Sequence, residues 1–323
     1  VIIKDLSNNL NKIHETNLSL RAWEIIVGRW LSDFIQISFR NYLTINKVLK
    51  SYKIKKILCY KKNSYRLNTL DTMDTTLASM DNNWNAALNS EIINFITKKN
   101  ILYLSNPKIK YFEKKKSEHK ISKINFLKKN IKKLMGIFRS FVSDHQTLIY
   151  KTNFPFFFEK KLEIKLNQFP QNYEIKPFKN NYKFDELLRK KIQITSYSNK
   201  SKFINFLEYI LPKALPNYAV ESFKKMSIYT DKINFPKKPK NIFTSLGFAY
   251  DEIFKIYVAK KVDQGSKYFV CQHGNNYFSS IYLNNITELK TSDNFFSWGR
   301  VNNKKSIPLF NTNTLKDSKT DSF

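Results

Sequence analysis

Between Asn241 and Trp298 the chain alternates short β-rich runs with one helical pattern, and this alternation restricts the fold more than any other stretch. Asn241–Ser245 (Asn-Ile-Phe-Thr-Ser) is strand-like. Tyr250–Val262 carries Ile253, Phe254, Tyr257 and Val258 at helical spacing, with Gly265 just past its end. Lys267–Gln272 is a second strand, and Asn294–Trp298, closed by Gly299, a third. Strand, helix, strand at this spacing is a βαβ unit, and such crossovers build parallel sheets. Pro236, Lys237, Lys238 and Pro239 mark a boundary upstream of it. The sequence therefore predicts an α/β protein in three parts. Residues 1–235 form a helix-rich region with a few strands, and 236–300 the βαβ segment. Residues 301–323 are a polar tail or the truncated start of a further lobe.

The first part is read from its apolar periodicity. Trp23, Ile26, Val27, Trp30, Leu31, Phe34 and Ile35 make one broad face of an amphipathic helix, with Gly28 inside it. A second helix is predicted over Tyr42–Ser51, a strand over Lys56–Tyr60 and a helix over Trp84–Ile96, with 61–80 polar and irregular. Residues 105–122 read as a charged linker and Ile124–Val142 as a basic amphipathic helix. Thr147–Tyr150 is a short strand and Phe154–Phe169 a helix. Phe203–Leu211 and Ala214–Met226 are helices broken near Pro212 and Pro216.

The chemistry concentrates after the middle strand, in Val270-Cys271-Gln272-His273-Gly274-Asn275-Asn276-Tyr277. In open α/β sheets ligands bind outside the carboxyl ends of the strands, which is where His273 falls. Its imidazole could act as general base on a hydroxyl or hydrogen-bond a phosphate. The plainer reading is a histidine that satisfies a turn. Gly274 lets the backbone turn sharply, and Gln272 and Asn275 could orient substrate. Glu288 and Asp293 stand just before the third strand, where a carboxylate could orient His273 or bind a sugar hydroxyl. Asp293 could equally cap the strand entry. Thr244, Ser245 and Gly247 form a small-residue loop ahead of a helix, an anion site through its backbone N–H groups, though without P-loop spacing. His14 could face a cleft, but a lone histidine near a helix start is more often a surface or packing residue. No Cys/His cluster predicts a metal, and no nucleophile elbow or glycine-rich dinucleotide fingerprint is present.

The formal net charge is +30, which suits an anionic partner. Lysine is spread along the whole chain and no helix-turn-helix, zinc or RNA-binding signature accompanies it, so specific nucleic-acid binding is not expected. Weak attraction to an anionic membrane surface fits better. No apolar run reaches the roughly 18 residues of a membrane span, and no signal-peptide pattern opens the chain. Two cysteines, Cys59 and Cys271, lie in apolar strands and suit a reducing cytosol. The expected location is cytoplasmic, with peripheral contact at the inner membrane face.

Three blocks carry a resemblance. Leu10-Asn11-Lys12-Ile13-His14 leads into Trp23-Glu24-Ile25-Ile26-Val27-Gly28-Arg29-Trp30-Leu31. Phe243-Thr244-Ser245 precedes Asp251-Glu252-Ile253-Phe254-Lys255. Gly265-Ser266-Lys267 runs into Gln272-His273-Gly274-Asn275-Asn276-Tyr277, followed by Ser292-Asp293 and Ser297-Trp298-Gly299. In order and spacing these resemble a bacterial family of transferases found in O-antigen and surface-carbohydrate gene clusters, similar in outline to capsule and teichoic-acid polymer transferases. The resemblance implies a GT-B-like architecture of two Rossmann-like lobes, of which this chain would hold one and would be a partial copy. It implies a glycosyl- or related transferase with a nucleotide-activated sugar as substrate, no separate cofactor, and a lipid-linked or glycan acceptor. It puts His273 foremost, with His14 and Glu288 behind it. The chain departs from the family pattern at Asn275 and Asn276, where further glycines are usual, at Arg29 in place of a proline, and at Arg300 in place of an aromatic residue. The reading from another class is a non-catalytic basic module for nucleic acid or anionic membrane, or the remnant of an inactive enzyme.

Overall fold

The computed structural model describes residues 2–104, 146–171, 173, 175–176, 178, 183–194, 201–275, 277–278, 287–309 and 311. The charged linker and the helix expected over Ile124–Val142 lie outside the described residues, as does most of the 301–323 tail. The chain forms two compact units that alternate along the sequence. The first comprises Val1–Lys115 and Phe178–Met226, the second Lys116–Pro177 and Ser227–Phe323.

In chain order the first segment holds α1 (Ile2–His14), α2 (Leu20–Ser51), β1 (Ile57–Tyr60), α3 (Thr72–Ala78), α4 (Asn82–Ile96) and β2 (Ile101–Leu104). Then follow β3 (Thr147–Tyr150), α5 (Phe156–Lys165), α6 (Glu186–Lys190), α7 (Lys202–Ala214) and α8 (Phe223–Lys232). The last stretch holds β4 (Asn241–Thr244), α9 (Gly247–Tyr250), α10 (Glu252–Asp263), β5 (Lys267–Cys271), α11 (Thr287–Thr291), β6 (Asn294–Trp298) and β7 (Ser306–Leu309).

The first unit is helical around α2. Ser19 caps that helix by accepting from the Ala22 N–H, and Trp23, Trp30 and Phe34 are fully buried along one face. The two helices predicted here are one, because residues 29–51 contain neither proline nor glycine to break the ladder. Asp71 and Asp81 cap α3 and α4 through the N–H groups of Asp74 and Trp84. Strands β1 and β2 pair in parallel, Ile57 opposite Ile101. Helix α7 continues through Pro212 in its last turn, although the proline removes the bond to the carbonyl four residues back. The buried Arg189 donates to the carbonyls of Pro212 and Leu215 at that end.

The second unit is built on a five-stranded sheet in the order β3-β4-β5-β6-β7, every neighbouring pair parallel. The protein is thus α/β, as expected. The sheet is wider than the stretch 236–300, since it takes in β3 from far upstream and β7 beyond. Ile242, Tyr268, Val270 and Phe295 are buried on one face; Phe243, Phe269 and Phe296 stack half-buried on the other. The order never reverses among the described strands, so no switch-point crevice of the dinucleotide-binding type locates a ligand here.

Candidate active site

The carboxyl end of β5 is held by a glutamine. The Gln272 N–H donates to the Phe296 carbonyl at 2.7 Å, extending the ladder one residue past the strand. Its side chain, 5% exposed, works at both ends: Oε1 accepts from the Trp298 N–H and Nε2 donates to the Gly274 carbonyl, each at 2.8 Å. Gln272 therefore staples the loop to the end of β6 and presents His273 there.

His273 is half-buried and joined to two further side chains. The Tyr277 hydroxyl lies 2.8 Å from His273 Nδ1 and 2.7 Å from Glu288 Oε1. Glu288 sits in the first turn of α11 and is 2% exposed. A phenol has one proton to give. The Glu288 carboxylate is an acceptor, so the Tyr277 O–H points to it and the Tyr277 oxygen accepts from His273 Nδ1–H. That tautomer leaves the lone pair on Nε2. The Tyr277 ring packs on Phe295 of β6, and Phe248 of α9 lies against the imidazole with centroids 5.5 Å apart. The structure thus brings Glu288 to His273 through Tyr277, a residue to which sequence reasoning assigned no role. Its signal was modest: a tyrosine four residues after the histidine, in the same loop.

The loop after β4 is differently employed from the expectation. The N–H groups of Ser245 and Leu246 donate to the Lys151 carbonyl, and the Gly247 N–H to Thr244 Oγ1 at 2.9 Å. An anion site made of these groups is therefore not formed, because the protein's own acceptors already hold them. Thr244 and Ser245 are fully buried. Gly247 is a packing glycine: a Cβ there would come within 2.8 Å of the Phe254 ring. The short helix α9 that it opens nonetheless supplies Phe248 to the wall beside His273.

Other candidates separate. Asp293 precedes β6, and in a parallel sheet that puts it at the opposite end from the loop that follows β5. Its Oδ2 accepts from the Tyr268 N–H at 2.8 Å and its own N–H donates to the Tyr268 carbonyl. It is a strand-entry cap, and the catalytic role expected of it has no geometric support. His14 belongs to the first unit and is 4% exposed. Its Nε2 donates to the Ala219 carbonyl at 2.9 Å, and Phe223 and Trp23 flank the ring. Burial holds its pKa down to about 4, so it is a neutral core histidine and faces no cleft. Asn275 is exposed. Gly274 has no positive φ, and a Cβ on it would meet open space, so no sharp turn demands the glycine. The buried Cys271 thiol is pushed up to about 11 by burial and is no nucleophile. Among the described residues no group of three or more His, Cys, Asp or Glu side chains could hold a metal ion.

A family model described as LIC12162 family transferase matches residues 1–322. No curated protein and no solved structure matches the chain.

Proposed function

The chain belongs to the LIC12162 family of transferases, and from that premise we propose that it moves a glycosyl or related group from a nucleotide-activated donor to a hydroxyl acceptor in bacterial surface-polysaccharide synthesis. The observation that carries this reading is the Glu288–Tyr277–His273 relay at the carboxyl end of β5. His273 Nε2 takes the proton of the acceptor hydroxyl as that oxygen bonds to the donor carbon. The bond from the donor carbon to the phosphate oxygen breaks, and the nucleoside diphosphate leaves with the electron pair. The positive imidazole that results is stabilised through Tyr277 by the buried Glu288 carboxylate, the arrangement by which a third group orients a histidine base. In this reading the sheet unit corresponds to one lobe of a GT-B-like enzyme, and the acceptor is a lipid-linked sugar or glycan.

The same reading places the protein at the cytoplasmic face of an anionic membrane. No described helix is long and apolar enough to cross a bilayer, so contact would be peripheral. Helix α5 supports this: Phe156, Phe157 and Ile164 are 57%, 78% and 58% exposed, beside the exposed Lys161 and Lys165.

The test is transfer measured over a panel of nucleotide sugars. His273→Ala is expected to lower kcat by about 100-fold or more, the usual contribution of a positioned base. Undiminished transfer by that variant would remove His273 from the chemistry.

A further inference from the structure

A cavity of about 310 Å³ lies wholly within the first unit. Its floor is the buried Glu91 carboxylate, which accepts from the Tyr65 hydroxyl at 2.8 Å, the Tyr209 hydroxyl at 2.6 Å and Lys213 Nζ at 3.2 Å. The Lys213 ammonium also lies 3.7 Å from the centroid of the Tyr209 ring. One wall is Phe184, whose ring takes the Arg66 guanidinium at 4.1 Å and the Arg189 guanidinium at 4.6 Å. Glu186 and Lys190, paired at 3.0 Å, also line the cavity. Glu91 does not make the cavity acidic: two phenols and an ammonium already satisfy it, and its effect is to fix where Tyr65, Tyr209 and Lys213 point. What a ligand meets is the Arg66 and Lys213 cations set among aromatic rings, with the Glu186 carboxylate held by Lys190. A stacked guanidinium presents its fork in a fixed plane, suited to phosphate oxygens, and the Tyr65 and Tyr209 side chains offer apolar surface to a sugar or base. Desolvation lowers the Lys213 pKa, against the pull of Glu91.

We propose that this cavity is a binding site for a small phosphorylated ligand, with Arg66 and Lys213 gripping the phosphoryl group and Tyr65, Tyr209 and Phe184 enclosing the ring it carries. The site is independent of the His273 reading, because no residue of the relay contributes to it.

The experiment is calorimetric titration of the full chain with inorganic pyrophosphate, a sugar 1-phosphate and a nucleoside diphosphate. The three arms separate recognition of the phosphoryl group alone, of a phosphorylated sugar and of a nucleotide. Binding of at least one is expected. Arg66→Ala and Lys213→Met should each weaken it about tenfold or more, the loss of one charge-assisted hydrogen bond. Arg66 is exposed, so its removal leaves the fold intact. Lys47→Ala with Lys50→Ala, on the exposed side of α2, removes as much charge elsewhere in the unit and should change little. His273→Ala should bind unchanged, so a failed transfer assay and a failed binding assay remain distinguishable. Binding of none of the three, or equal weakening by the α2 pair, would overturn the site.

Discussion

His14 gives its Nε2 proton to a backbone carbonyl inside an aromatic cage, whereas His273 gives its Nδ1 proton to a tyrosine backed by a carboxylate. The first arrangement disfavours a second proton, and a stability measurement can see this at His14. Its folded pKa, about 4, lies below the ordinary 6.5 because burial outweighs the hydrogen bond to Ala219. The unfolded chain therefore binds a proton that the folded chain refuses as pH falls from 6.5 to 4. Stability contributed by the neutral ring is full above that window and declines through it, by about 3 kcal/mol at the lower limit. His14→Gln should flatten the slope of urea midpoint against pH; an unchanged slope would show that His14 is not its source. At the proposed active site, Tyr277→Phe cuts the relay while keeping the ring on Phe295. Transfer should fall about tenfold or more and KM should hold, since the relay acts on the proton and not on binding. Glycine supplies the contrast: Gly274→Ala should leave the melting temperature within about 1 °C, while Gly247→Ala, forced against Phe254, should cost roughly 1–3 kcal/mol by overpacking. From sequence Gly274 was expected to permit a sharp turn and Gly247 to belong to an anion-binding loop. His273 was legible because a histidine and a glycine follow an aromatic strand. Tyr277 was not, because its partner Glu288 lies eleven residues further on and only the folded loop brings them to 2.7 Å.

Strands β4, β5 and β6 were legible as elements, since their aromatic and β-branched residues alternate between a buried and a half-buried face. Their neighbours were not. Pairing is non-local, and nothing in Thr147–Tyr150 says that it will lie beside Asn241–Thr244. Direction was available, however, and it decides Asp293. In parallel strands, a residue before one strand and a residue after its neighbour occupy opposite ends of the sheet, so Asp293 and His273 could not meet once β5 and β6 ran the same way. In the helices the misreadings were of length. Pro212 looked like a break, yet α7 passes it, and Arg189 supplies donors to the Pro212 and Leu215 carbonyls at that end. That guanidinium also grips Glu221 with two bonds, 2.6 and 2.7 Å, and both side chains are nearly fully buried. Arg189→Met is expected to destabilise by about 3–5 kcal/mol in chemical denaturation, because it strands a buried carboxylate. The double replacement Arg189→Met with Glu221→Met should recover much of that loss. If the double variant is no better than the single, the carbonyls at the end of α7 carry the cost instead.

Across the whole molecule the formal charge of +30 is spread too evenly to name a partner, and it is the exposed apolar groups that give the charge a direction. Phe156 and Phe157 begin α5 without burying, although burial of a phenylalanine is worth about 1.5–3 kcal/mol. Leu166 and Phe169 extend the apolar surface past the helix, at 41% and 44% exposed, and Lys161 and Lys165 border it. A bilayer meets both features at once: acyl chains take the rings while anionic headgroups take the lysines. Each contribution alone is small, so the two should be separable. Flotation with vesicles of phosphatidylglycerol and phosphatidylcholine should carry the protein up, and vesicles of phosphatidylcholine alone should carry much less. Raising salt to 0.5 M should weaken binding by screening, without abolishing it. Phe156→Ser with Phe157→Ser should weaken it by about 100-fold or more at low salt and leave the remainder fully salt-sensitive, since only the insertion has been removed. If the serine variant floats as well as the parent, the rings do not enter the bilayer and the attraction belongs to the lysines of the whole surface. If neither floats, α5 faces something other than lipid, and the proposed location at the membrane falls with it.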